Sequence, residues 1–266
     1  MRIPTAIDIA SRINLPLVVG AVEHHLAQGP APGTPLDAAG HAAAERANPV
    51  VLVPGFGGSA ESYNAIDRAL DRDGFRHTVF EPPHHGLGDV RTAAALLSDA
   101  VNNELAATGA SEVQLVGHSK GGAVISELER SDLAAGSTPR VESITTLAYP
   151  HHGLPATFPM NTYPWQLATS LASEVGTGMV QTNEGSFVNA ILAANLPSHV
   201  RMSSIYAAGK DGLVDPDRAH LDGATNVPIG TPDDHPDHMH MLVDSRAYEA
   251  LRANLLAGTG TAQAHA

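Results

Sequence analysis

Short runs of aliphatic and β-branched residues, each ended by glycine or proline, alternate along this chain with stretches whose apolar positions recur every three or four residues. The first run, "VVLV" at 50–53, is cut off by Pro54-Gly55 and reads as a buried strand ending in a turn. "SAESYNAIDRALDRDG" follows as a helix, with Ser59 or Ser62 as N-cap and Gly74 as its stop. "RHTVFEPPHHG" is a strand breaking into a loop, and Val90, Ala94, Leu97, Val101 and Leu105 mark one face of the next helix. The unit repeats as "SEVQLVG" and "GGAVISELERSDLAAG". "RVESITTLAYP", "MSSIYAAG" and the weaker "TNVPIG" supply three more strands, Pro228 placing the last at a sheet edge, and "SRAYEALRANLLAG" is the final helix. Strands alternating with helices predict an α/β fold, a mostly parallel central sheet with helices on both faces.

Two regions fall outside this rhythm. Residues 1–47 predict an N-terminal arm, helical over 5–27 and a Pro/Gly/Ala linker or surface arm over 28–46. Residues 151–200 hold the only tryptophan, Trp165, together with Phe158. A long insertion at the carboxyl ends of strands is where a lid or substrate-binding cap belongs, and Trp165 and Phe158 are its candidate substrate contacts. The remainder, 48–256, reads as one domain, and 257–266 as a flexible tail.

Composition narrows the function. A chain of 266 residues, 43% hydrophobic and 16% charged, can bury a full core. With 15 basic and 28 acidic side chains the net charge is −13, which repels phosphate backbones and argues against nucleic acid as a partner. The absence of cysteine excludes disulfides, thiolate catalysis and cysteine-ligated zinc. The early apolar run "LPLVVGAV" is too short to span a bilayer, so no stable membrane insertion is expected. Only Arg2 and Arg12 precede it, with Asp8 among them, and no small-residue cleavage site of a secretion signal follows, so a soluble, cytoplasmic protein is slightly favoured over a secreted one.

The chemistry concentrates at "QLVGHSKGG", residues 114–122. Ser119 stands between a strand and a helix with glycines at 117 and 121, the setting of a strained nucleophile elbow that exposes a serine Oγ at the carboxyl edge of a sheet. A serine hydroxyl needs a base, and the base an acid to orient it, in the chain order Ser, Asp or Glu, His. Asp211 in "IYAAGKDGLVDP" and His238 in "DDHPDHMHMLVD" meet that order on turns after strands. Asp215 competes for the first role, and His235 and His240 for the second. The oxyanion of acyl transfer needs backbone N–H donors, for which Lys120 and Phe56, in "VPGFGG", are the candidates. Glycines 55, 57 and 58 would let that turn approach a substrate. A zinc or calcium reading of "DDHPDHMH" finds no common ligand spacing, and the other paired histidines, His84-His85 and His151-His152 among them, read as loop surface.

In order and spacing, "VVLVPGFGGSAESY", "VQLVGHSKGG", "TTLAYPHHGL", "GKDGLVDP" and "HMHMLVD" resemble the bacterial triacylglycerol lipases and esterases of the α/β-hydrolase superfamily over about residues 48–256. The resemblance implies that fold, with a lid or cap insertion after strand 6 in the family's own count. It also implies a cofactor-free carboxylic ester hydrolase acting on a small-molecule or lipid ester. By similarity its nucleophile, acid and base fall on Ser119, Asp211 and His238, and its oxyanion donors on Phe56 and Lys120. Lys120 stands where many of these relatives carry Gln or Met. Two other functions use the same residues or fold: acyl transfer or thioester cleavage in a biosynthetic pathway, and ligand binding without catalysis.

Overall fold

A computed structural model of the protein describes residues 28–86, 88–136, 140–153 and 200–260. The helix expected over 5–27, most of the segment 151–200 with Phe158 and Trp165, and the end of the tail lie outside the described residues. In chain order the described elements are α1 (Ala38–Ala44), β1 (Val50–Val53), α2 (Asn64–Asp73), β2 (His77–Val79), α3 (Val90–Thr108), β3 (Val113–His118), α4 (Lys120–Ala135), β4 (Val141–Leu147), β5 (Arg201–Ala207), α5 (Pro216–Ala219), β6 (Thr225–Ile229) and α6 (Ser245–Ala257). Along this chain the strand leading into 151–200 is therefore the fourth described.

The six strands form one sheet in the order β2-β1-β3-β4-β5-β6, all parallel. Pro228 pairs opposite Tyr206 on the edge strand β6, where a residue without an N–H is tolerated. β1 shows why its sequence is an unbroken apolar run. Val50 and Leu52 pack on one side against α2 and α6, and Val51 and Val53 on the other against α3 and α4. Both faces of the sheet are thus covered, and alternation disappears from its central strands. Among the described residues no helix is long and apolar enough to cross a membrane.

Local chemistry sets the helix ends. The expected Ser59/Ser62 start resolves into a 3-10 turn, Ala60–Tyr63, whose Ser59 N–H donates to Ser62 Oγ at 3.0 Å; α2 begins after it and ends at Gly74 (φ 86°). Asp89 caps α3 by accepting from the N–H groups of Arg91 (2.7 Å) and Thr92 (3.2 Å).

The stretch 28–46, expected as a linker or surface arm, instead contains α1, with Ala44 buried in the core and Asp37 as its N-cap. It is held by a charged hub. Asp73 is wholly buried and accepts from Arg72 Nε (2.9 Å), Tyr248 OH (2.9 Å), Arg252 Nη1 (2.8 Å) and the Leu36 N–H (3.4 Å). Arg72 also donates to the Gly33 carbonyl at 3.0 Å, and Arg252 to that of Thr34.

β1 passes to β2 on one side and β3 stands on its other, so strand order reverses between β1 and β3. At such a switch point the loops leaving the two carboxyl ends part and open a crevice, where open parallel sheets bind ligands. Phe56 follows β1 and Ser119 follows β3. The glycines of the elbow allow the close approach this requires. A Cβ on Gly121 would stand 2.1 Å from the Val53 carbonyl oxygen, and one on Gly122 2.4 Å from the Tyr149 ring. Gly121→Ala is therefore expected to destabilise the fold by at least about 1–3 kcal/mol, since the neighbour is backbone and cannot yield. Thermal denaturation of the variant measures this.

Candidate active site

Ser119 joins β3 to α4 with φ 50° and ψ −125°, a conformation that costs a non-glycine residue about 1–3 kcal/mol. It is pinned from both sides: its N–H donates to the Leu147 carbonyl at 2.9 Å, and its own carbonyl accepts from Gly122 N–H at 2.9 Å. The strain lifts the hydroxyl off the sheet edge toward the turn after β6.

There His238 meets it. His238 Nε2 lies 2.8 Å from Ser119 Oγ, and Nδ1 lies 2.8 Å from Asp211 Oδ2. A carboxylate only accepts, so Nδ1 carries the proton, and Nε2 is left as the acceptor for the serine hydroxyl. Asp211 and His238 are both buried. The other carboxylate oxygen, Oδ1, accepts from the N–H groups of Leu213 (2.9 Å) and Val214 (2.6 Å). Burial alone would raise the Asp211 carboxyl, but the bond from His238 and these two backbone donors outweigh it and hold it below its ordinary value.

The competing residues are engaged elsewhere. Asp215 precedes α5 and pairs with Lys210 at 3.5 Å on the surface. His235 packs on Gly209 and bonds to the Pro236 carbonyl at 3.1 Å, while His240 is half-exposed and bonds to Asp237 Oδ1 at 2.7 Å. The 233–240 stretch forms no metal-ligating group. Among the described residues the group with such spacing is Asp67, Asp71 and His77, its ligand atoms within 4.8 Å of one another. His77 begins β2, so this group lies at the amino end of that strand, whereas Ser119 follows the carboxyl end of β3.

Sequence reasoning passed over His118. Its ring is buried and donates from Nε2 to the His238 carbonyl at 3.0 Å, which leaves Nδ1 unprotonated and, among the described residues, without a partner. Burial, then the neighbouring His238, pushes His118 down to about 3. With the His238 N–H donating to the Asp211 carbonyl at 2.9 Å, the peptide units on both sides of His238 are tied down. Its place directly before Ser119 was the available signal.

The structure adds detail at three further residues, and at His151 it overturns the expectation. Gly55 faces the elbow, where a Cβ would lie 2.9 Å from the His118 carbonyl oxygen and 3.0 Å from Ser119 Cβ, so its smallness is needed for backbone packing there. His151 is not loop surface but buried, 3.0 Å from Thr146 Oγ1 and edge-on to Tyr149. The Lys120 side chain is also buried, and burial pushes its ammonium down to about 7 against the pull of Asp89. Its N–H begins α4, one of the first-turn donors that the helix ladder leaves unpaired.

A family model described as alpha/beta hydrolase fold matches residues 48–177. Among solved structures, the mature form of a Bacillus licheniformis lipase superposes with a TM-score of 0.55 at 20% identity, covering 79% of this chain and 92% of that one. A metagenomic carboxyl esterase gives 0.57 at 19% identity, covering 86% of this chain and 77% of its own. RedJ, a thioesterase of the prodiginine biosynthetic pathway in Streptomyces coelicolor, gives 0.54 at 14% identity, with 86% and 94% covered. No curated protein matches the chain in sequence. At these identities the structural likeness speaks to fold, and it agrees with the parallel sheet and the family match: the chain is an α/β-hydrolase-fold protein with similarity to bacterial lipases and esterases.

Proposed function

We propose that the protein is a serine hydrolase that cleaves carboxylic esters, small-molecule or lipid, through an acyl-enzyme on Ser119. The observation that carries this reading is the unbroken hydrogen-bond chain from Ser119 Oγ through His238 to Asp211, 2.8 Å at each link. As Ser119 Oγ attacks the ester carbonyl, its proton passes to His238 Nε2. Asp211 keeps the imidazole in the required tautomer and stabilises the imidazolium that forms. The tetrahedral oxyanion is met by the backbone N–H groups of Phe56 and Lys120, with the N-terminus of α4 adding its partial positive charge. His238 then returns the proton to the leaving alcohol, and water releases the acid by the same steps in reverse.

Intact-mass analysis after exposure to a fluorophosphonate tests the reading directly. One adduct is expected on the wild type, mapping to Ser119, and none on Ser119→Ala. A wild type that takes no adduct would overturn it and favour ligand binding on a hydrolase scaffold.

A further inference from the structure

The Lys120 side chain runs into the protein and is only 5% exposed. Its ammonium donates to the carbonyl oxygens of Gly86 and Gly88, both at 2.7 Å, and lies 6.0 Å from the centre of the Phe56 ring. The backbone it holds is strained. His84 (φ 53°, ψ 37°), His85 (φ 53°, ψ 45°) and Gly86 (φ 69°) are all left-handed, at about 1–2 kcal/mol for each non-glycine residue. Such a conformation persists only where its surroundings over-determine it. Two carbonyl dipoles converging on one point repel each other unless a donor stands between them, and a charged donor is the strongest available.

On its other side the strained turn presses on the residues after β1. A Cβ on Gly86 would lie 2.2 Å from the Gly55 carbonyl oxygen, so the two backbones touch directly. Gly55 in turn abuts the Ser119 elbow. A closed circuit of contacts thus runs from Lys120 through Gly86 to the Gly55-Phe56 peptide and back to Ser119.

We propose that Lys120 is a positioning residue for the reaction at Ser119: its ammonium clamps the His84–Gly86 turn against residues 55–56 and thereby holds the Phe56 N–H beside the elbow. The inference rests on the proposed role of the Phe56 N–H as an oxyanion donor.

Lys120→Met keeps the aliphatic stem and removes every donor; Lys120→Gln keeps a donor for one of the two carbonyls. In the Met variant, amide hydrogen exchange over 54–58 and 84–88 is expected to accelerate about tenfold or more, with β3 and α3 unchanged. For p-nitrophenyl butyrate, kcat should fall about ten- to a hundredfold with KM within about twofold, because the lost interaction belongs to the transition state. A trifluoromethyl ketone, which adds to a serine hydroxyl as a tetrahedral oxyanion, should weaken by the same factor as kcat/KM. Lys120→Gln should fall between. Unchanged exchange in both variants overturns the clamp. Faster exchange with unaltered kcat and ketone affinity overturns the positioning role, as does a loss of protection spread over the whole sheet in both. A wild type that takes no fluorophosphonate would instead sink the hydrolase reading, and the exchange measurement would still decide the clamp.

Discussion

Replacing Ser119 by alanine is expected to lower hydrolysis of p-nitrophenyl butyrate by roughly four to six orders of magnitude while leaving the fold intact. The variant loses the one atom that bonds to the substrate, and the residual rate is what donors and binding alone give to water. Asp211 and His238 act only through that atom, so Asp211→Asn added to Ser119→Ala should cost almost nothing further, although alone it should cost about 10⁴-fold. A second variant separates chemistry from conformation. Ser119→Gly should be equally inactive yet more stable than Ser119→Ala, because glycine adopts φ 50° without a Cβ penalty. Steady-state kinetics with thermal melts on the variants would decide. Substantial turnover by Ser119→Ala would remove the nucleophile from the proposal.

The largest effect on stability is expected at Asp73, which contacts none of Ser119, Asp211 and His238. Asp73→Ala leaves the guanidinium of Arg252 and the hydroxyl of Tyr248 buried or half-buried without their shared acceptor, and unties α2 from α6 and from residues 33–36. Removing one partner of a buried charged network costs about 3–5 kcal/mol. At this chain length that corresponds to a midpoint lower by roughly 5–10 °C. Burial by itself would raise the Asp73 carboxyl, but hydrogen bonds from Arg72, Arg252 and Tyr248 outweigh it and hold it down to about 2. A carboxyl depressed by folding contributes stability above its unfolded value near 3.9, and that contribution is lost as pH falls through the folded one. The gap between wild type and Asp73→Asn should therefore be full above about pH 4 and shrink as pH approaches 2, measured by denaturant unfolding at each pH. A gap constant over that range would show that Asp73 acts only by its shape.

The elements could be read because burial leaves its mark on residue choice. "VVLV" is apolar at every position because both faces of β1 are covered, and α3 repeats its apolar residues at helical spacing because one face meets the sheet. Pro228 marked an edge because it has no N–H to give a second neighbour. Less legible was a stretch of loop-like composition that distant groups hold in place. Residues 28–46 look like a linker or surface arm, yet Asp73 and Arg72 tie them to the core across 37 and 39 residues of chain and Arg252 across 218.

At the site the division is the same. Residue types, chain order and the strand-glycine-serine-glycine-helix setting pointed by themselves to Ser119, to an acid at Asp211 or Asp215 and to a base at His235, His238 or His240, because the chemistry demands those groups on turns at one sheet edge. Which histidine of three points at the serine, that His118 ties down the His238 carbonyl, and that Lys120 turns inward to hold Gly86 and Gly88 were decided by the tertiary structure alone. Each of these depends on a backbone carbonyl or a burial that side-chain identity does not encode. A carbonyl is the same in every residue, and only folding determines which one stands within 3 Å of a given donor.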